Sequence, residues 1–417
     1  MIRPLVFLAV AWTPILSAQD APLTIERAVA LAMERNERAA IADTTVEAAE
    51  ARVRRARTSF FPRVDVSGNL TGDYGNGSER TLATGALLTQ PIFDARAFPL
   101  YRAQRFERDA TRFTAHESKR LLGYEAAAVF LATLSFEQVL RAAEHRRDFA
   151  QTNLDDVRAR FEAGLVSSND VTRAELELAT AVRGVAQASG DLQASMIDLE
   201  TLLRTDVETL APPAGLLDAA DEPPALDGAV IADAQQRRSD LSAQRARVEA
   251  SRAFAQEPNA RFIPSVMLQA QTRNTNDGPL FDRTNEGFVG LSFGWPVFDA
   301  GLRRAEHAER TALLRGEELE LELALRDVER ELRSAGVQLT TEQASLREAI
   351  AATRAARRNT EETNALYREG LASALELADA TQRLFEAEVA EVTARYRMAL
   401  AYLSLREAQG TAPMGEN

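Results

Sequence analysis

The residue types that most often carry chemistry are scarce in this chain of 417 residues. The three histidines, His116, His145 and His307, are scattered over segments with helical patterning, without a nucleophile motif, a phosphate-binding loop or an HExxH sequence. Cysteine is absent, which excludes disulfides, thiolate catalysis, cysteine-ligated metals and a lipid anchor on cysteine. The sequence therefore predicts neither an enzyme nor a metal or cofactor site.

Charged residues give the next candidates. Glu376 and Asp379 are spaced i, i+3 and share one face of a predicted helix, where by themselves they are ordinary solvated charges. The net charge is −13, so a nucleic-acid partner is not expected. We therefore interpret the arginine-rich run RVRRAR, residues 52–57, as a solvated helix face rather than as a nucleic-acid site.

Four landmarks recur in the same order in two parts of the chain and indicate a tandem duplication. VEA at 46–48 and FFP at 60–62 return 202 positions later as VEA and FIP. QPIFDA at 90–95 returns 205 positions later as WPVFDA, and the turn at Gly164 returns at Gly370, 206 positions later. One such match could arise by chance, whereas four in register could not.

The duplication sets the predicted domain boundaries. Residues 1–18 have the pattern of a secretory signal peptide, with an uncleaved membrane anchor as the alternative. The first repeat is expected to span 19–204 and the second 229–409, joined by an irregular, proline-rich connector at 205–228. Residues 410–417, GTAPMGEN, are expected to form a disordered tail.

Each repeat predicts one β-hairpin after the proline that ends its first helical stretch, Pro62 or Pro264. The hairpins are expected at 61–93 and 262–298, where apolar and polar residues alternate with the period of two that is typical of strands. Polar, glycine-bearing stretches inside these segments are expected to form the connecting loops.

Each repeat then regains a helical period and runs for over 100 residues without proline. The strong punctuation common to both runs is a glycine, Gly164 or Gly370, so each repeat predicts a long helical hairpin that reverses near that residue. Apolar residues spaced alternately four and three apart predict coiled-coil seams along the return helices. The seam predicted in the first repeat consists of Leu178, Val182, Val185, Ser189, Leu192, Met196, Leu199 and Leu203.

Four strands of about ten residues could each cross a bilayer, but four strands cannot close a barrel. An open sheet leaves unpaired backbone groups in lipid, each costing several kcal/mol, so several identical chains would have to combine their strands. The alternative is a soluble periplasmic coiled-coil scaffold that never inserts. Such a scaffold has no need of amphipathic hairpins, and membrane fractionation would separate the two hypotheses.

Taken in order, these landmarks resemble the TolC family of outer-membrane efflux and secretion channels over essentially the whole mature chain. The resemblance rests on LTIERAVALA, FFP, QPIFDA and the two glycine turns, which are followed by SSNDV and SALELADA. It implies a mainly helical homotrimer whose internally duplicated helical hairpins form a periplasmic α-barrel. Two β-hairpins per chain would contribute to a twelve-stranded barrel surrounded by outer-membrane lipid.

The resemblance further implies a passive exit duct of a tripartite efflux pump or a type I secretion system, with a periplasmic adaptor and an inner-membrane pump as partners. The turns that would meet the adaptor are Gly164, Leu165, Val166, Ser167, Gly370, Leu371, Ala372 and Ser373. No residue of this sequence identifies the cargo or the class of pump.

The resemblance also implies a narrowed periplasmic mouth. Its acidic side chains would be Glu376 and Asp379, with six carboxylates in a trimer, and its polar closing links would involve Asp170 and Tyr367. Ala372 replaces the arginine that the family places in these links, so closure by a salt bridge is left open.

Overall fold

The computed structural model of the chain describes residues 22–72, 80–221, 227–276 and 283–414. The predicted signal segment, the tips of both β-hairpins, part of the connector and the last three residues lie outside the described residues.

The described residues form two repeats of one plan. The first repeat contains α1 (Ile25–Arg35), α2 (Glu37–Arg57), a 3-10 turn (Thr58–Phe60), β1 (Arg63–Gly72), β2 (Arg80–Phe93), α3 (Ala97–Glu162) and α4 (Ser168–Leu203). After α5 (Ala214–Asp221), the second contains α6 (Gly228–Arg237), α7 (Ser239–Ala255), α8 (Glu257–Ala260), β3 (Ser265–Asn276), β4 (Arg283–Gly294), α9 (Leu302–Arg368) and α10 (Ala374–Ala408).

The opening helical stretch of the first repeat is divided into two helices by Asn36. Thr24 caps α1, since its side chain accepts a hydrogen bond from the Arg27 amide. The Asn36 carboxamide oxygen accepts from the Arg38 amide at 2.9 Å and caps α2, while its amide nitrogen donates to the Leu202 carbonyl at 2.9 Å. This buried residue therefore starts α2 and joins it to the end of α4.

The four strands form one antiparallel sheet in the order β1-β2-β3-β4. Each hairpin pairs its own strands, and β2 pairs with β3 to join the two repeats within one sheet. Val66, Val289 and Leu291 are more than two-thirds exposed, so the sheet presents apolar side chains on its surface. Among the described residues, the outer strands β1 and β4 pair with a strand on one side only, which leaves both edges of the sheet open to another chain.

Small residues take many of the buried positions along the first return helix, beside the predicted apolar seam. Ala174, Ala181, Ala188 and Ser195 recur every seven residues along α4 and are buried, whereas Val182 is 50% exposed. The predicted seam is therefore buried at Leu199 and Leu203 but not at Val182, and small side chains take the buried positions along the rest of α4. Alternation of apolar residues does not report that preference.

The largest hydrophobic core lies where both helical hairpins pack against α1. Phe130, Leu131, Leu199, Leu332 and Leu405 are fully buried in it. Within the described residues, α3 contains one stretch long and apolar enough to cross a membrane by length and composition. Because residues such as Phe130 and Leu131 in that helix are buried against other helices, we interpret α3 as a core helix.

The expectation of a disordered tail at 410–417 was wrong for residues 410–414. The Thr411 carbonyl accepts from Arg120 Nη1 at 3.2 Å and from the Tyr124 hydroxyl at 3.1 Å. Pro413 is buried and Met414 packs against the large core. Hydrogen bonds from side chains about 290 positions earlier in the chain hold this polar segment, and its own composition does not reveal them.

The expectation of an irregular connector at 205–228 was wrong for the residues of α5. Leu216 and Ala220 of this helix are buried in the large core, and the Gln343 side chain donates to the Ala220 carbonyl at 2.8 Å. Two of the four prolines that indicated an irregular segment precede the helix in the sequence and two follow it, so none lies within it. A short helix is therefore compatible with them.

Candidate functional site

The two helical hairpins reverse through the same backbone conformation, in agreement with the predicted glycine turns. Gly164 and Gly370 have φ values of +72° and +78°, which residues with side chains rarely adopt. The Leu165 amide donates to the Arg160 carbonyl at 2.9 Å, and the Leu371 amide donates to the Leu366 carbonyl at 2.8 Å. Both helices thus end in a hydrogen-bonded Schellman motif.

The residue after each glycine points outward. Leu165 and Leu371 are each 75% exposed, although leucine is among the residues most often buried. The next residues, Val166 and Ala372, turn inward and are partly buried. Each tip therefore presents one apolar side chain on a rigid turn, which is a suitable contact for an apolar partner surface.

A small hydrophobic cluster, which we call the tip cluster, joins the ends of the two hairpins. It consists of Leu154, Val157, Ala174, Tyr367 and Leu377, all buried. Four helices, two from each repeat, contribute to it. Because the hairpin ends share one core, the tips of the two repeats are held side by side within each chain.

The candidate carboxylates Asp170 and Glu376 occupy equivalent positions in the two repeats, where each closes a capping box. The Ser167 amide donates to Asp170 Oδ2 at 3.0 Å, and the Ser373 amide donates to Glu376 Oε2 at 2.6 Å. The hydrogen bonds from the Ser373 amide and hydroxyl lower the pKa of the exposed Glu376 carboxyl below its usual range. Glu376 is therefore held ionised at the start of α10, and it starts that helix as well.

Asp379 lies one turn further along α10 and is exposed. Its carboxylate accepts from Arg383 at 3.0 Å in an exposed i, i+4 pair, a class of ion pair that contributes little to stability. The two acids predicted for the mouth are thus unequal, because Asp379 has a basic neighbour whereas Glu376 is bonded to uncharged Ser373.

Tyr367 is buried in the tip cluster near the end of α9. Burial raises the pKa of its hydroxyl, and the neighbouring Asp170 carboxylate raises it further. Within the described residues, the Tyr367 hydroxyl has no hydrogen-bond partner. A buried hydroxyl without a partner costs about 1–3 kcal/mol, so this one is a candidate for a contact that the single chain does not supply.

Arg160 is a functional candidate that the sequence analysis missed. Its guanidinium donates to the Tyr367 carbonyl at 3.2 Å and to the Arg368 carbonyl at 3.3 Å, and it lies 5.1 Å from the centre of the Tyr367 ring. It thus ties the end of α3 to the end of α9 beside the candidate mouth. A basic residue in the last turn of a helix was the available signal, although it did not indicate a contact 207 positions away.

The predicted site residues therefore gather at one end of the chain. The tip cluster brings Tyr367 close to Asp170, while Glu376 and Asp379 lie on the exposed first turns of α10. Among the described residues, no group of three or more histidine, aspartate or glutamate side chains could hold a metal ion. The arrangement suits contact with a partner protein through the tips and electrostatic selection of ions by the exposed carboxylates.

Known proteins resemble this chain in sequence over most of its length. The sequence model described as "Outer membrane efflux protein" matches residues 28–204 and 230–411. The outer membrane protein TolC of Escherichia coli K12 is 23% identical over 383 residues, covering 88% of this chain and 78% of that protein. The alkaline protease secretion protein AprF of Pseudomonas aeruginosa is 27% identical, covering 76% of this chain and 67% of AprF.

Solved structures agree with the sequence comparisons. CusC superimposes with a TM-score of 0.80 at 19% identity, over 93% of this chain and 92% of CusC. The Campylobacter jejuni CmeC outer membrane channel superimposes with a TM-score of 0.78 at 15% identity, over 98% of this chain and 93% of CmeC. The predicted fold class, long helical hairpins that continue a membrane β-sheet, is confirmed.

Proposed function

This chain belongs to the outer membrane efflux protein family, and we propose that three copies of it close into the passive exit duct of a tripartite export machine. It is an outer-membrane efflux or secretion channel that extends into the periplasm. The soluble scaffold considered as an alternative is not favoured, because the matched relatives are outer-membrane proteins. The family is one of channels rather than of known enzymes.

The open edges of the sheet are the observation that carries the proposal of three copies. Within the described residues, β1 and β4 each have a neighbouring strand on one side only, and the unpaired backbone groups on the other side would be costly in lipid. Three copies supply twelve strands, and a barrel wider than eight strands can enclose a channel. Pairing β4 of one copy with β1 of the next would satisfy every edge in a closed ring.

The helices give the duct its length. α3 and α9 have 66 and 67 residues, so each spans roughly 100 Å at about 1.5 Å per residue. Their glycine turns lie at the ends remote from the sheet. We propose that this end, with the exposed Leu165 and Leu371, docks onto a periplasmic adaptor that couples the duct to an inner-membrane pump.

The tip also supplies the proposed gate. Tyr367 has a buried hydroxyl whose partner is not found in the described part of one chain, and Asp170 lies beside it. We propose that the tip helices shift when the copies assemble, which exposes the Tyr367 hydroxyl to a bond with a neighbouring copy that holds the mouth closed. Glu376 and Asp379 would then form an acidic ring that favours cations.

Oligomeric state and conductance together test the proposed function. The chain extracted from outer membranes in detergent is expected to have the mass of a trimer in native mass spectrometry and to dissociate when the sample is heated. In planar bilayers it is expected to form cation-preferring pores. A stable monomer that remains soluble without detergent would contradict the proposal.

Replacing Tyr367 by phenylalanine tests the gate. The ring still fills the tip cluster, but the hydroxyl bond to a neighbouring copy is lost. We expect the conductance of the resting channel in planar bilayers to rise severalfold because the closed state loses one link per subunit. Tyr396→Phe is the matched control, since it removes a hydroxyl from another buried tyrosine, outside the tip cluster. Equal conductance of the Tyr367→Phe channel and the wild type would rule this link out.

A further inference from the structure

A group of four arginines near the membrane end of α2 is not used by the proposed duct or gate. This arginine patch consists of Arg52, Arg54, Arg55 and Arg57, and all four side chains are exposed. Within the described residues, none of them forms an ion pair, although most exposed arginines of α3 do so. The sequence holds no acidic residue between positions 51 and 64, so this segment is uniformly basic.

The duplication provides an internal comparison for the arginine patch. At the offset of 202 residues, the equivalent positions of the second repeat hold Phe254, Gln256, Glu257 and Asn259. There Glu257 is buried and its carboxylate accepts from Arg261 and Arg310 at 2.8 Å and 2.6 Å. At the corresponding junction of the second repeat, Glu257 therefore neutralises the nearby arginines. The first repeat has no such acid there, and its basic surface stays exposed.

The position of the patch along the molecule is fixed by the sheet. β1 begins and β2 ends at the junction with the helices, and Arg63 pairs with Thr89 there. At the same end β3 begins beside the end of β4, where Ser265 pairs with Gly294. Since the strands cross the outer membrane and the helices extend into the periplasm, this end of the sheet lies at the leaflet that faces the periplasm.

Aromatic side chains hold the junction next to the patch. The Phe60 ring packs against Phe98 and Tyr101, with centroids 5.2 Å and 5.9 Å apart. Phe61 is 50% exposed, and the Arg57 guanidinium lies 5.4 Å from the centre of its ring. An exposed apolar ring beside arginines suits a membrane interface, because the ring can face the acyl chains while the cations face the headgroups.

The length of the patch fits that layer. Arg52 and Arg57 are five residues apart on a helix, so the patch spans about 8 Å along the helix. The headgroup region of a bilayer is about 5–8 Å thick on each side of the hydrocarbon. Arginine also presents a planar fork of donors that matches phosphate oxygens.

We propose that the arginine patch binds the phosphate groups of anionic phospholipids in the periplasm-facing leaflet and so fixes the depth of the channel in the membrane. This inference rests on the proposed function, because it requires the strands to cross that membrane. Charge complementarity favours lipid phosphate. Carboxylates of a neighbouring copy are the competing occupant, and the experiment below distinguishes the two.

Lipid retention by the purified full-length channel tests the proposal. Channels in detergent are titrated with phosphatidylglycerol or with phosphatidylcholine, and bound lipid per chain is counted by native mass spectrometry. We expect the wild type to prefer phosphatidylglycerol, and the variant Arg54→Gln, Arg55→Gln, Arg57→Gln to lose roughly tenfold or more of that affinity, given the attraction of each basic group to an anionic surface. The variant with lysine at these three positions should retain most of it because the charge remains.

The matched control removes three exposed arginines from the periplasmic part of α9, Arg347→Gln, Arg354→Gln and Arg358→Gln, and should bind phosphatidylglycerol as the wild type does. Unchanged phosphatidylglycerol affinity in the patch variant would overturn the proposal. Dissociation of its trimer without a change in lipid affinity would also overturn it, because the patch would then pair with a neighbouring copy. Failure of the duct itself would instead appear as a wild-type chain that neither forms trimers nor conducts.

Discussion

Replacing both tip leucines by aspartate, Leu165→Asp with Leu371→Asp, is expected to abolish export while leaving the channel assembled. Burial of one leucine against a partner contributes about 1.5–3 kcal/mol, and a charge in its place adds a desolvation cost. The pair should therefore weaken adaptor binding on the order of 100-fold or more. Co-purification of the adaptor with the affinity-tagged channel from native membranes measures the loss, and accumulation of exported compounds measures its consequence.

The design separates lost apolar contact from added charge. Both leucines are largely exposed in the single chain, so the aspartates do not disturb the tip cluster. Ser168→Asp with Asn169→Asp adds the same two charges at the exposed start of α4, where a helix N-terminus accepts them, and keeps both leucines. We expect that control to retain most adaptor binding. Wild-type adaptor recovery with the leucine variant would show that the tips are not the docking surface.

Removing the charges of the acidic mouth is expected to abolish most of its cation preference. Glu376→Gln with Asp379→Asn eliminates six carboxylates from a trimer, and a ring of like charges at a constriction is what attracts cations and repels anions. We expect the ratio of cation to anion permeability, taken from reversal potentials in planar bilayers, to fall severalfold, and block by divalent cations to weaken. The amides are preferable to alanine because glutamine can still close the capping box with Ser373.

The same ring gives a pH dependence whose sign follows from the hydrogen bonds. The pKa of Glu376 is lowered, so its charge is present at neutral pH and persists below the usual range of a glutamate. Cation preference should therefore be constant from neutral to mildly acidic pH and decline only as the pH falls through that depressed pKa. The doubly amidated channel should show a much smaller decline, since it lacks both carboxylates of the ring.

A matched control for the mouth removes two exposed carboxylates per chain from the last turns of α9, Glu361→Gln with Glu362→Gln. These acids lie before the second glycine turn rather than after it, and we expect nearly unchanged selectivity. If the control and the mouth variant lose selectivity equally, the preference arises from the overall acidity of the tunnel and the ring at Glu376 has no special role.

Much of the architecture could be predicted because the helices, strands and turns follow from local patterns in the sequence. The turns at Gly164 and Gly370 require a positive φ, which few other residues tolerate. These two glycines therefore predicted where the two helical hairpins reverse. The alternation of apolar and polar residues in β1 and β4 likewise predicted strands. The predicted seam is buried at Leu199 and Leu203 but not at Val182, because the pattern of apolar residues does not say which face packs closest, and Ala174 and its successors are buried along the rest of the helix.

The sequence analysis named most residues of the candidate site but not the hydrogen bonds that join them. Asp170 and Glu376 were named, yet their shared place in a capping box went unrecognised although the Ser-x-x-acid spacing was readable. Arg160 was missed because its partner is Tyr367, 207 positions later, and only packing of the two hairpins brings them together. The roles of these residues in docking and gating stay predictions until the variants above are measured.

The sequence by itself determined the duplication, which is visible as repeated motifs, and the two β-hairpins and the reversal points, which depend on residues within a few positions of one another. Only the tertiary structure decided that β2 pairs with β3, that Thr411 is held by Arg120, and that the charges of the first repeat's junction stay free while Glu257 neutralises those of the second. Such contacts depend on which surfaces meet once long helices pack side by side. Their energies come from burial and from contacts between elements that are often far apart in the chain, which no local pattern records.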